Sequence, residues 1–272
     1  MEIANENIQR RTIVIWFSCG AASAVAAKRT IEKYGYIADI KIVNNFVAEE
    51  DEDNRRFLKD VEQWLGYPIE IATNKNFPDC STRTVWKKRN YMSGTAGAPC
   101  TTFLKKKARQ QWENNNNFTD IVLGFTLDEK KRHDRFILTE RSNVIPVLID
   151  EKITKDDCFK IIHDAGIELP RIYKMGYSNA NCVGCVKATS PTYWNHVRIT
   201  HPEVFSDRAE QSRRIGAKLV RLKGQRIFLD ELPDDAMGIP MKQMPSFDCG
   251  IFCEEKDFND NDLNKISLDE AS

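Results

Sequence analysis

No stretch of this 272-residue chain approaches the roughly twenty consecutive apolar residues that a membrane helix needs. The start of the chain is charged and polar through Arg11, without the apolar core of a secretory leader. Net charge is missing as well: 40 Lys and Arg balance 40 Asp and Glu. No overall field therefore draws the chain to nucleic acid or to a membrane surface, and only a local basic site could do so. There are no internal repeats, and low complexity is confined to the Asn114–Asn117 run. These absences predict a soluble, cytoplasmic protein with no membrane partner.

Cysteine is not scarce. Eight stand at positions 19, 80, 100, 158, 182, 185, 249 and 253. In a reducing compartment such a count points to metal ligands or redox chemistry rather than to disulfides. The length allows one large α/β domain with an elaboration, or two small domains.

The chain alternates strand and helix in its first part. Strands are expected at 13–17, 38–43, 69–71, 121–124 and 143–149. Helices are expected at about 22–34, 51–65 and 101–113, with a short one around Trp86. The stripe Phe57, Leu58, Val61, Trp64 and Leu65 reads as core. Thr154, with Asp156 and Asp157 behind it, caps a further helix that ends near Gly166. The order predicts a parallel sheet with right-handed crossovers. From 171 onward the alternation stops, and 218–222 and 225–229 form a hairpin across Lys223-Gly224. The expected organisation is a flexible lead-in (1–11), a nucleotide-binding α/β domain (12–175), a metal-binding elaboration (176–253) and a disordered acidic tail (254–272).

The first strand runs into Ser18-Cys19-Gly20-Ala21-Ala22-Ser23 and then an Ala-rich helix. A tight turn of small residues aims backbone N–H groups and the positive end of a helix at one place, which suits a phosphate. An ordinary first βα turn has the same look. Asn44-Asn45, Gly124 with Asp128, Glu129 and Arg132, and Cys100 with Lys105 also lie beside expected strand ends or at a helix start. Ligands of open parallel sheets bind there.

These residues, in this order, resemble the phosphoadenosine phosphosulfate (PAPS) reductase group of the PP-loop, or N-type ATP pyrophosphatase, superfamily. The family's Ser-Gly-Gly-x-Asp-Ser loop corresponds to Ser18–Ser23, its Cys before Lys to Cys100 and Lys105, and its Gly-x-Arg-x-x-Glu strand end to Gly124 and Glu129, followed by Arg132. The Pro-Leu-Ile strand is similar to Ile145–Ile149, and a Pro…Tyr…Gly-Tyr turn to Pro170, Tyr173, Gly176 and Tyr177. The resemblance covers roughly 12–187. It implies a three-layer, doubly wound, mostly parallel α/β sheet of the HUP-like kind, an adenine nucleotide (ATP or PAPS) as ligand, and frequent homodimers.

On that reading Ser18, Gly20 and Ser23 hold phosphate, with Cys19, Ala21 and Ala22 in the same loop. Lys105 and Arg132 neutralise phosphate, and Glu129 assists a metal or orients the sugar. The chain departs from the family at three positions: Cys19 replaces the first loop Gly, Ala22 the loop Asp, and Thr126 the Arg after Gly124. Without the carboxylate at 22, which helps arrange ATP phosphates with or without Mg, nucleotide binding should survive better than cleavage.

Cys182-Val183-Gly184-Cys185 and Cys249-Gly250-Ile251-Phe252-Cys253 supply two thiol pairs at tight-turn spacing. Four thiolates suit one tetrahedral zinc, which would be structural, or a [4Fe–4S] cluster. Sulfur-moving PP-loop relatives use such clusters. Alternatively, Asp248-Cys249-Gly250 resembles the nucleophile tail of thioredoxin-dependent PAPS reductases, although Phe252 replaces its His. Cys100, after Pro99 at a helix start, is the other candidate thiolate. Cys158 reads as helix core.

Arg208, Arg213, Arg214, Lys218, Arg221, Lys223 and Arg226 offer either a tRNA or DNA backbone contact or a plain solvated face. Tyr193, Trp194 and His196 either contact a base or cover the metal site. The expected function is nucleotide binding coupled to sulfur transfer or nucleotidyl activation. The alternatives are a thioredoxin-type PAPS or APS reductase and a non-catalytic binder that lost its loop Asp.

Overall fold

A computed structural model of the chain describes residues 10–94 and 97–243. Most of the expected lead-in, all of the acidic tail, Cys249 and Cys253 lie outside the described residues. Two compact units emerge. Of the described residues, the first comprises 10–44, 55–71 and 113–169, and the second 45–54, 72–94, 97–112 and 170–243. The chain thus passes from one to the other several times.

The sheet belongs to the βα part of the chain. Its strands are β1 (Arg11–Phe17), β2 (Ala38–Asn45), β3 (Ile69–Ala72), β4 (Asp120–Val122) and β5 (Val144–Ile145), in the spatial order 3-2-1-4-5. Ile13 and Ile15 of β1 stand opposite Ile40 and Ile42 of β2 and opposite Asp120 and Val122 of β4, all parallel. β1 is buried along Ile13–Phe17 without alternation, as a central strand covered on both faces must be. This is the α/β architecture that the residues predicted, with the order of HUP-like folds.

Helices α1 (Ala21–Tyr34) and α2 (Asp53–Leu65) cover the sheet. Ala21, Ala24, Ala26 and Ala27 are buried, and side chains this small let α1 come close to the strands. α2 buries Phe57, Val61 and Leu65 at i, i+4 and i+8, the one-sided stripe of an amphipathic helix. One core joins these residues to Ile13, Ile15, Phe17, Val122 and Ile145.

The expected strand at 143–149 stops at Ile145. Pro146 carries no N–H for the ladder, and its carbonyl instead accepts from the Asp150 amide at 2.9 Å. Residues Val147–Asp150 therefore turn as a short helix. The helix predicted after Thr154 is present at Lys155–Asp164, with Thr154 and Asp157 in a reciprocal capping box.

The second unit contains the short Trp86 helix (Thr82–Arg89), the helix through Cys100, and two helices at Pro191–Thr200 and Pro202–Ile215. Its hairpin pairs Val220–Leu222 with Gln225–Ile227. Lys223 and Gly224 adopt φ values of 48° and 82°, both left-handed, as a two-residue type I′ turn requires. The lysine-rich helix differs from expectation, because Thr101–Lys106 is wound as a π-helix before the α-helix Lys107–Glu113. No helix among the described residues is long and apolar enough to cross a membrane.

Candidate functional site

In the first unit the strand order reverses at β1, which lies between β2 and β4. Crevices at such switch points, beyond the carboxyl ends of the strands, receive ligands. The Ser18–Ser23 turn occupies that position. Cys19 sits at φ 56°, a left-handed conformation that glycine adopts more readily. Cys19 tolerates this conformation with its sulfur buried in the core. Ser23 is buried, and its Oγ donates to the Gly20 carbonyl at 2.9 Å. The same Oγ accepts from the Ser18 amide at 3.1 Å and from Ser18 Oγ at 3.2 Å. The serines brace the turn against each other.

Gly20 is the N-cap of α1, and no side chain caps that end or places an acid in its first turn. The first amides of a helix lack intrahelical partners, so Ala21, Ala22 and Ser23 present N–H groups at the positive end of a 14-residue helix. Gly124 closes the other wall. A Cβ there would fall 2.8 Å from the Ser23 amide nitrogen and 3.0 Å from Ala22 C. The end of β4 can lie against the α1 terminus only because position 124 carries no side chain.

Glu129 and Arg132 pair with each other at 2.7 Å. Glu129 also belongs to the capping box opened by Thr126, and Arg132 lies over the Phe125 ring, 5.4 Å from its centroid. Both therefore have local structural roles. Cys158 is fully buried, and burial together with nearby Asp157 and Asp128 pushes its thiol up to about 12. It is core, as its spacing predicted.

In the second unit, Cys182 and Cys185 flank Gly184, whose φ of 68° makes the turn. The Cys185 amide donates to Tyr193 Oη at 2.8 Å. Burial raises the Tyr193 phenol well above its ordinary value, so it stays neutral. Cys182, Cys185, Tyr193 and Met241 line one cleft. Trp194 is buried and donates Nε1–H to the Ala188 carbonyl at 2.9 Å, while His196 meets the Tyr177 ring edge-on at 4.7 Å. Tyr193 meets the thiol turn directly, through the Cys185 amide.

Cys100 is partly buried in the first turn of its helix and packs on the cluster of Val47, Phe77, Val85, Phe103 and Leu104, which Cys182 also touches. Lys105 is buried in the π-helical stretch and faces Glu50 at 3.5 Å. Among the described residues no group of three His, Cys, Asp or Glu is close enough to hold a metal. The second thiol pair, Cys249 and Cys253, lies outside those residues.

The basic segment needs correction at Arg208. It is 2% exposed, seated over the Trp86 ring at 4.6 Å, and is no part of a solvated face. Arg213 pairs with Asp230 at 2.6 Å and Glu231 at 3.1 Å, and Arg214 pairs with Glu210. Arg221, Lys223 and Arg226 remain exposed on the hairpin. Reading the sequence also missed Arg208 as a buried charge. Its one available signal was position: Phe205, Arg208 and Ser212 form the buried stripe of their helix.

No family model matches this chain, and comparison with curated proteins returns no match.

Proposed function

We propose that this chain binds an adenine nucleotide, ATP or PAPS, in the crevice after β1, and that it acts as a PAPS reductase-like PP-loop enzyme in sulfur transfer or nucleotidyl activation. The observation that carries the reading is the uncapped start of α1 at the switch point, held against Gly124. The phosphates would accept from the Ala21–Ser23 amides, with Ser18 Oγ as a further donor. Arg132, held by Glu129 in a half-buried pair, would turn to the phosphate charge. No carboxylate stands at Ala22 to position Mg, so binding outlasts cleavage. A non-catalytic binder is the second reading, and Ala22 is the observation in its favour.

Cys182, Cys185, Cys249 and Cys253 would hold a zinc or a [4Fe–4S] cluster in the second unit. The donor set fits a thiophilic metal. Two thiols flank a left-handed Gly184, and Met241, eight residues before Cys249, lines the same cleft. Eight residues span about 26 Å when extended, which is ample reach. Zinc would cross-link the unit, whereas a cluster would supply electrons for sulfur chemistry. The basic hairpin is the segment that would meet a tRNA or DNA acceptor.

The test is calorimetric titration of the full chain with ATP and with PAPS, alongside an assay of pyrophosphate release. Binding of either nucleotide that weakens in Gly124→Ala supports the reading. Absence of binding to both overturns it, and rapid pyrophosphate release would refute the role given to Ala22.

A further inference from the structure

The charge balance of the whole chain does not hold locally. Residues 73–112 carry nine of the 40 Lys and Arg and one of the 40 Asp and Glu. That acid, Asp79, is engaged at the Trp86 helix, where it accepts from Thr84 Oγ1. Two of the nine cations have carboxylate partners: Lys105 faces Glu50, and Arg83 pairs with Asp207 at 3.2 Å. Lys87, Lys88 and Lys107 form no ion pair among the described residues. Lys87 and Lys88 are exposed, and Lys107 is half-buried.

Packing gathers these cations in one place. The rings of Phe77 and Phe103 meet with their centroids 5.2 Å apart. Lys88 Nζ lies over the Phe77 ring at 4.9 Å, while the Arg89 guanidinium and Lys107 Nζ lie over Phe103 at 4.8 and 4.5 Å. Two charges on one ring stay within about 10 Å of each other, the screening length in 0.1 M salt, so they repel. The negative end of the Trp86 helix favours Lys87, Lys88 and Arg89 in its last turn. Lys107 belongs to another helix and adds to the same positive field, which a polyanion would relieve.

The surroundings of the cations narrow the polyanion to one class. Among the described residues, none of the large exposed hydrophobic side chains falls between 73 and 112. A membrane-bound surface inserts apolar side chains, and a protein interface has an apolar, aromatic centre. Phe77 and Phe103 are buried, so they offer no face on which a base could stack. Charge alone remains, and charge alone is what engages a phosphodiester backbone. We propose that Lys87, Lys88, Arg89 and Lys107 bind the phosphate backbone of a nucleic acid, without regard to base sequence. This segment is distinct from the basic hairpin, and binding there needs neither the nucleotide crevice nor a metal.

The experiment is fluorescence anisotropy of the full-length protein with a labelled oligonucleotide of arbitrary sequence, offered as single-stranded DNA, duplex DNA and duplex RNA over about 50 to 200 mM salt. Four phosphate contacts should make the logarithm of the duplex DNA association constant fall with the logarithm of salt at a slope of about −3 to −4. Lys88→Gln combined with Lys107→Gln should reduce that slope by about two and weaken binding at low salt by about tenfold or more. Lys87→Gln, at an exposed position, gives a second reading, with the slope reduced by about one. Lys88→Arg with Lys107→Arg should bind as the parent does, because both keep their charge. Lys59→Gln with Lys160→Gln removes the same charge from exposed positions elsewhere and should leave binding as in the parent. Unchanged binding in the Lys88 and Lys107 Gln pair and in Lys87→Gln overturns the proposal, as does a parent that binds none of the three probes. An equal loss in the Lys59 and Lys160 pair overturns it too, since net charge would then be the whole cause. A parent that binds vesicles of phosphatidylserine and phosphatidylcholine but no oligonucleotide assigns the surface to a membrane instead.

Discussion

Asn44 donates its side-chain N–H to the sulfur of Cys19 at 3.4 Å, and the same nitrogen donates to the Phe17 carbonyl at 2.8 Å. One buried amide at the end of β2 thus holds the end of β1 and the left-handed residue of the turn that follows. The Ser18–Ser23 turn is shaped by a neighbouring strand as much as by its own residues. Asn44→Ala should cost about 1–3 kcal/mol, because it leaves a buried carbonyl unpaired. It should also weaken nucleotide binding. Urea unfolding and calorimetry on the same preparation check both effects, and an unchanged midpoint would show that the bond is dispensable.

Gly124→Ala should displace the α1 terminus, since the new methyl would contact backbone that cannot rotate away. Forcing a methylene-sized group into packed structure costs about 1–3 kcal/mol. Nucleotide affinity should fall more than tolerance of urea does, because the displaced atoms are the amides offered to phosphate. A variant that binds as the parent does would place the ligand elsewhere.

Alkaline stability should depend on Cys158. Its thiol is raised from an ordinary 9.0 to about 12 in the folded chain. The folded state therefore keeps a proton that the unfolded state releases above its ordinary value. The stability is intact below about pH 9 and declines as pH rises from there toward 12. Tyr177, also held up to about 12 by burial, adds to the decline above pH 10. Cys158→Ala should flatten the fall between pH 9 and 10, measured by urea midpoints across that range. An equal slope would show that the thiol ionises freely when folded.

Tyr193→Phe should cost about 1–3 kcal/mol by stripping the Cys185 amide of its buried acceptor. The variant should also retain less metal after dialysis against a chelator, since Cys185 loses its tether. Metal analysis beside thermal unfolding separates the two consequences.

The hairpin offers a gain. Lys223 occupies a left-handed position that asparagine adopts more easily, and Asn-Gly is the preferred pair for this turn. Lys223→Asn should raise stability by a few tenths of a kcal/mol up to about 1 kcal/mol. Gly224→Val should lower it, because φ is 82° there. Melting temperatures of the two variants should move in opposite directions.

Local signals were legible wherever a single element decides its own form. Ile13–Phe17 has no alternative to a buried strand, α2 carries its stripe in plain view, Thr154 with Asp157 caps its own helix, and Lys223-Gly224 specifies its own turn. The Pro146 boundary was legible too, because a residue without an N–H ends a ladder. Residues 143–149 read as one strand only while apolar character outweighed that missing donor.

What the sequence by itself determined is the alternating order, hence a parallel sheet, and the small-residue turn placed at its switch point. Tertiary structure alone decided that Gly124 backs Ser23, that Asn44 braces Cys19, that Lys105 faces Glu50, and that Arg208 is buried on the Cys182–Cys185 turn. Periodicity reports which face of an element is apolar, and it carries no information about which distant residues meet there. An arginine counts as surface in any such reading, and only the packing of Trp86 and Gly184 around it turns the charge inward.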